Sequence, residues 1–407
     1  MRRVVVTGMG GITALGDNWK TIRAALEEQK TAIRYMEEWD RFKGVNTRLA
    51  APILDFNIED RYPRKKLRSM GRVSCLAVYA TERALLDAGL LGSPLVQSGR
   101  MGVAYGSSFG SPDSVLGFYE LKMNGISRNL SATNYIRMMG QTTVVNLSVF
   151  FGITGRIVPT SCACASGSMG IGSAFEAIRF NKADIMIAGG AEELDITDAA
   201  TFDTLFATST MNNTPDKTPR PFDRDRDGLV VGEGAGTLIL EEYEHAKARG
   251  ANIYAEIVGY GCSADGSHVT QPQADTMSRA LMLGLQDADL APDVIGFVSA
   301  HGTATEGGDI AETAATNAVF GSHIPVHSLK SYFGHTLGAC GSLEAWLSIE
   351  MMREGWFCTT ANLDNVDKRC APLDYIMGES RLLEVDYLMS NNFAFGGVNT
   401  SLIIKKL

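Results

Sequence analysis

Short β-branched runs ending in glycine or serine recur along this 407-residue chain. "RVVVTGMG" (3–10), "RMGVAYGSS" (100–108), "ADIMIAGGAEE" (183–193) and "GTLILEE" (236–242) come first. After "EHAKARGANI" the rhythm resumes with "YAEIVGYG" (254–261), "DVIGFVSAHG" (293–302), "VHSLKS" (326–331), "YLMSNNFAFGG" (387–397) and "SLIIKKL" (401–407). Helical patterns separate most of them, as in "VSCLAVYATERALLDAGL" (73–90) and "SLEAWLSIEMMREG" (342–355). Continuous apolar strands alternating with amphipathic helices require an α/β protein with buried sheets. Both halves end on an apolar strand, and both contain a strand, a small-residue turn and a helix. The economical reading is an internal duplication, with halves at 1–250 and 251–407.

Composition removes several function classes. A net charge of −9 lacks the basic footprint that nucleic acid demands. No window holds 18 uncharged apolar residues, so no membrane span is expected. The opening "MRRVVVTGMGGITALG" is basic, but its apolar run is a short strand before glycines and not a signal-peptide core. Seven scattered cysteines fit reduced thiols in a reducing compartment, and a cytoplasmic protein is expected. No Cys-x-x-Cys pair or histidine cluster has metal-ligand spacing, so neither a metal nor a cofactor is expected.

Chemistry concentrates at "PTSCACASGSMGIG" (159–172). Cys164 lies where a strand gives way to a helix through Ala163, Ala165, Ser166 and Gly167. Small residues there permit a sharp turn with the side chain at its apex. The following helix points its free N–H groups and positive dipole end at that side chain. A dipole contribution of up to ~2 kcal/mol equals about 1.5 pKa units and would bring the thiol from about 8.5 to near 7. Buried packing is the competing role for either cysteine of the pair. Of six histidines, His301 and His335 follow apolar strands at glycine turns, where active-site groups of α/β sheets gather. His245 reads as a solvated helix position, and His323 and His327 flank a loop. "SNNFAFGGVNTS" (390–401) adds paired glycines whose backbone can approach a ligand closely.

In order, "ACASGSMGIG", "AHGTATEGGDIAE", "LKSYFGHTLGACGSLEA" and "NNFAFGGVN" resemble the elongating β-ketoacyl-acyl-carrier-protein synthases. The opening segment and "DKTPRPFDRDRDGLVVGEGAG" match as well, so the resemblance spans the chain. It implies a thiolase-like five-layer αβαβα fold of two duplicated halves and a decarboxylative Claisen condensation. It aligns Cys164, not Cys162, with the nucleophile and leaves Cys162 as buried packing. His301 and His335 would stabilise the enolate and Lys330 would orient the site, with Glu344 as its partner and Asp309 and Glu312 in support. The backbone N–H groups of Cys164 and Phe395 would form the oxyanion hole, and Phe395 would gate the pocket. Thr303 and Thr305 would bind the phosphopantetheine arm, and Phe109, Leu229 and Phe393 would line the substrate.

The resemblance also implies an acyl-carrier-protein partner and a dimer. The dimer is either a homodimer or a heterodimer with a cysteine-less, chain-length-factor-like subunit. Carrier docking falls on Arg64, Lys65 and Arg68 in "RYPRKKLRSMGR" (61–72). Ala394 before the gating phenylalanine, Leu229 and Phe109 depart from the usual pattern. They leave open a specialised route, aryl polyene or polyketide, beside ordinary fatty-acid elongation.

Overall fold

A computed structural model describes residues 1–407. Its first half supplies strands β1 (Val4–Thr13), β2 (Met101–Gly106), β3 (Ile157–Pro159), β4 (Ile185–Glu192) and β5 (Gly234–Glu242). Its second half supplies β6 (Ala255–Ala264), β7 (Phe297–Ser299), β8 (Pro325–His327), β9 (Tyr387–Ala394) and β10 (Val398–Lys406). The principal helices are α1 (Arg72–Asp87), α2 (Thr142–Phe151), α3 (Ser166–Arg179), α4 (Ile196–Asp203), α5 (Ala274–Ala288), α6 (Glu306–Phe320) and α7 (Cys340–Glu354).

The strand order is β3-β2-β4-β5-β1 in the first half and β8-β7-β9-β10-β6 in the second, where the two-residue strand Asp374–Tyr375 adds an outer edge to β8. Numbered within each half, both sheets read 3-2-4-5-1. In each, the first three neighbours run parallel and the last two pairings are antiparallel. The halves join where Val4–Val6 of β1 pair antiparallel with Ala255–Ile257 of β6. Helices α3 and α7 lie between the two sheets, α1 and α2 cover the first sheet, and α5 and α6 cover the second. This is the five-layer αβαβα arrangement. Ile171, Phe175 and Ile178 of α3 pack with Leu343, Trp346 and Leu347 of α7 in the largest apolar cluster, so the core sits in the middle layer.

The duplication extends to packing detail. A Cβ on Gly8 or Gly10 of β1 would come within 2.4 and 2.7 Å of carbonyls in α1. A Cβ on Gly259 or Gly261 of β6 would come within 2.5 and 2.0 Å of carbonyls in α5. Both first strands need glycine because a helix lies directly on their backbone. No helix is long and apolar enough to cross a membrane.

Helix α3 begins after β3, the His301 turn follows β7, and the Lys330 helix (Lys330–Phe333) follows β8. The Phe395 turn joins β9 to β10. The duplication therefore brings the ends of parallel strands from both halves to one place, as open α/β sheets do for their ligands.

Candidate active site

Cys164 sits on a strained elbow. Ala163 has φ +46°, a conformation that costs an L-residue energy and persists where surrounding contacts impose it. Those contacts come from Ser166, whose hydroxyl donates to the Ala163 carbonyl at 2.7 Å and accepts the Cys162 N–H at 2.9 Å. Cys164 is buried at the N-terminus of α3, facing its own N–H and that of Phe395. Burial pushes its thiol up to about 12, against the pull of the Lys330 cation and those two N–H groups. This corrects the expectation of a thiol near 7, because the dehydration of a buried sulfur outweighs the helix dipole. Cys162 is half-buried, not the buried packing residue expected, and its main chain serves the elbow.

The Cys164 sulfur and ring nitrogens of His301 and His335 lie within 4.8 Å of one another. The two imidazoles stand 5.1 Å apart at 85°. Burial first, and the nearby Lys330 cation second, hold both well below the ordinary histidine range, so both rings are neutral. Leu337 donates its N–H to Nδ1 of His335 at 3.1 Å, which leaves the ring proton on Nε2 as a donor. A Cys-His-His set has the composition of a soft-metal site, but this tautomer opposes one. A metal on Nε2 would force a proton onto Nδ1, against the Leu337 N–H. His245 bonds Glu241 at 2.5 Å, away from the site. His327 is fully buried at the end of β8 and bonds the Cys358 carbonyl at 2.9 Å, away from the site.

Behind the rings, Lys330 and Glu344 form a fully buried ion pair. The second Glu344 oxygen accepts the Asn392 amide at 2.7 Å, and that amide also reaches His301 Nδ1 at 3.4 Å and Cys340 Sγ at 3.6 Å. The Cys340 thiol donates to the Cys164 carbonyl at 3.1 Å. Glu312 receives the N–H groups of His301 and Gly302, each at 2.7 Å. Asp309 receives those of Phe222 and Ala304 and faces the buried Arg226 at 3.4 Å. Reading the sequence missed Asn392, Cys340 and Glu192, whose carboxylate ties Ser108 and Gly338 across the halves at 2.8 and 2.9 Å. The available signal was "NN" within an apolar strand, where two buried amides need a reason.

A cavity of about 420 Å³ leads from the surface to Cys164, His301 and His335. Thr303 and Thr305 line it with hydroxyls 2.8 Å apart, and Leu229, Phe393 and Phe395 line it too. Phe109 does not line it and is 47% exposed. Exposed Phe206, with φ +53°, stands at the rim with Leu205 and Val269. Beside Phe395, Gly397 adopts φ +70°, and a Cβ there would come within 2.6 Å of Asp265. Arg64, Lys65 and Arg68 are exposed on and just after the short helix Arg64–Leu67.

Residues 1–246 match the family described as beta-ketoacyl synthase, N-terminal domain, and residues 254–364 match its C-terminal domain. A 3-oxoacyl-[acyl-carrier-protein] synthase 2 from Vibrio cholerae is 37% identical over 100% of this chain and 99% of its own length. The crystal structure of a beta-ketoacyl synthase from Burkholderia phymatum superposes with a TM-score of 0.99 at 58% identity, covering 100% of both chains. The ishigamide ketosynthase/chain length factor superposes with a TM-score of 0.91 at 31% identity, covering 100% of this chain and 99% of its own.

Proposed function

The chain belongs to the β-ketoacyl synthase family, and we infer that it is a β-ketoacyl-acyl-carrier-protein synthase of fatty-acid-type elongation. The observation that carries this reading is the grouping of Cys164, His301 and His335 within 4.8 Å at the inner end of the cavity. The Cys164 thiol gives up its proton toward the departing pantetheine sulfur as its own sulfur attacks the acyl thioester carbon. The oxyanion that forms meets the N–H groups of Cys164 and Phe395. The carrier's pantetheine sulfur leaves, takes up the proton, and the acyl group stays on Cys164.

Malonyl-carrier protein then enters the same cavity. Its bond to the carboxylate breaks, CO2 departs, and the electron pair becomes an enolate. Two imidazole N–H donors stabilise the enolate oxygen, each contributing roughly 2.7–4 kcal/mol. The enolate carbon attacks the Cys164 thioester, and Cys164 leaves as thiolate with a 3-oxoacyl chain, two carbons longer, on the carrier. The buried Lys330 cation favours both anions, and Glu344 keeps it charged. Thr303 and Thr305 offer hydroxyls to the amides of the arm, Leu229 and Phe393 offer it apolar wall, and Phe395 gates the acyl side. Phe109, outside the cavity, is assigned to the mouth of the acyl channel.

Carrier docking belongs to Arg64, Lys65 and Arg68, and the repeat border is placed near residue 250. Strand β3 pairs only with β2 and presents an exposed Ile157, an edge that calls for a partner strand. Leu116, Tyr119, Met123 and Tyr135 add exposed apolar surface in the first half. This supports a dimer, either of two copies or with a chain-length-factor-like subunit. The seven unpaired thiols fit a reducing, cytoplasmic compartment.

The test is to supply acyl- and malonyl-carrier protein and follow CO2 and 3-oxoacyl carrier by mass. His335→Ala should lower decarboxylation by ~10²–10³-fold while Cys164 still takes acyl groups. Decarboxylation at the parental rate in that variant would refute the assigned role.

A further inference from the structure

We infer that Asn392 is a positioning residue that fixes the proton of His301 on Nε2, the ring edge turned to Cys164 and His335. The inference rests on the condensation reading for its catalytic meaning, but the proton's location can be read independently.

The two imidazoles have their tautomers set by different means. His335 takes its instruction from a main-chain N–H, that of Leu337, which no substitution other than proline removes. Nδ1 of His301 has instead a side-chain partner, the Asn392 amide nitrogen at 3.4 Å. That amide is fully buried on β9 and has two hydrogens to give. One goes to Glu344 Oε2 at 2.7 Å, and the other falls between His301 Nδ1 and Cys340 Sγ. The amide cannot turn over, because its oxygen would then face the Glu344 carboxylate, acceptor against acceptor. The Lys330 ion pair keeps that carboxylate charged. Gly341 packs the other side: a Cβ there would come within 2.6 Å of Asn392 Oδ1, which has no partner of its own.

With the nitrogen side fixed toward His301, a proton on Nδ1 would meet an N–H donor head on. The ring proton therefore resides on Nε2. The chain Lys330–Glu344–Asn392–His301 turns a buried charge pair into a directional instruction for one imidazole. Without it, Nε2 could become an acceptor, and the enolate would lose one of its two donors. Cys340 extends the same amide's reach to the nucleophile through its bond to the Cys164 carbonyl.

The experiment uses full-length enzyme carrying ¹⁵N-labelled histidine, with His301 assigned by its loss in His301→Ala. Long-range ¹H–¹⁵N correlation should show Nδ1 of His301 bare and Nε2 protonated. In Asn392→Asp, the new carboxyl shares a proton with Glu344 and turns its carbonyl to Nδ1, so the pattern should invert. That variant should lose ~10²–10³-fold in malonyl decarboxylation while acyl loading of Cys164 changes by less than about tenfold. Asn392→Ala, which offers His301 neither donor nor acceptor, should show both tautomers and an intermediate decarboxylation rate. An Nδ1 proton in the parent overturns the inference whether or not the variants fold. Parental decarboxylation in folded Asn392→Asp overturns it as well. If the parent itself fails to decarboxylate malonyl-carrier protein, the condensation reading falls while the tautomer result stands.

Discussion

Glu312 and His301 are joined through the main chain: the His301 N–H meets Oε1 of Glu312 at 2.7 Å, and the Gly302 N–H meets Oε2 at 2.7 Å. One carboxylate thus holds the turn that aims the His301 ring. In Glu312→Gln the new amide can accept only one of these N–H groups and points a donor at the other. An unmet buried donor costs roughly 1–3 kcal/mol. Thermal denaturation should show that loss, and decarboxylation should fall more than acyl loading. Unchanged stability and rates would mean that the turn holds its shape without Glu312.

His301 and His335 are neutral because of burial first and Lys330 second. Decarboxylation should therefore show no titration step as pH falls through 6.5, the ordinary value for an imidazole. A rate profile from pH 8 to 5.5 measures this. A fall centred near 6.5 would place a charged or solvated histidine in the rate-determining step.

Asp198 caps α4 by accepting the Asp195 N–H at 3.2 Å. Burial, and then Glu192, raise its carboxyl from 3.8 to about 8. The folded state keeps a proton that the unfolded chain releases, so this residue's contribution to stability falls as pH rises between those values. Asn keeps the capping oxygen without the charge. Asp198→Asn should melt higher than the parent at pH 8, with the gap closing toward pH 4. An equal gap at both ends would remove Asp198 as the source.

Carrier proteins that present acidic surface need a basic counterpart on a chain whose net charge is −9. Replacing Arg64, Lys65 and Arg68 with Glu should raise KM for carrier-bound substrates, and the parent's KM should rise steeply with salt. Turnover of a small pantetheine thioester should hardly change. Equal losses on both substrates would make the segment a support of the fold.

The repeated rhythm of strands and helices was legible because buried strands write themselves as apolar runs, whereas the order of those strands in the sheet was not. Cys164, His301 and His335 were legible because each follows such a run at a small-residue turn. The Cys164 thiol was misread because a helix start is visible in sequence, whereas the burial that outweighs its dipole comes from distant segments such as the Phe395 turn. Asn392 and Cys340 escaped notice for a related reason. Each looks like filler in its own element, and their shared contacts join β9, α7 and the elbow before α3.

The most direct test of the account is the intact mass and peptide map of the enzyme after incubation with acyl-carrier protein alone. The account predicts one acyl adduct per chain, on Cys164, which disappears as 3-oxoacyl carrier forms when malonyl-carrier protein is added. Cys162→Ala should keep the adduct and Cys164→Ala should lose it. An adduct carried by Cys162, or 3-oxoacyl product from Cys164→Ala, would contradict it.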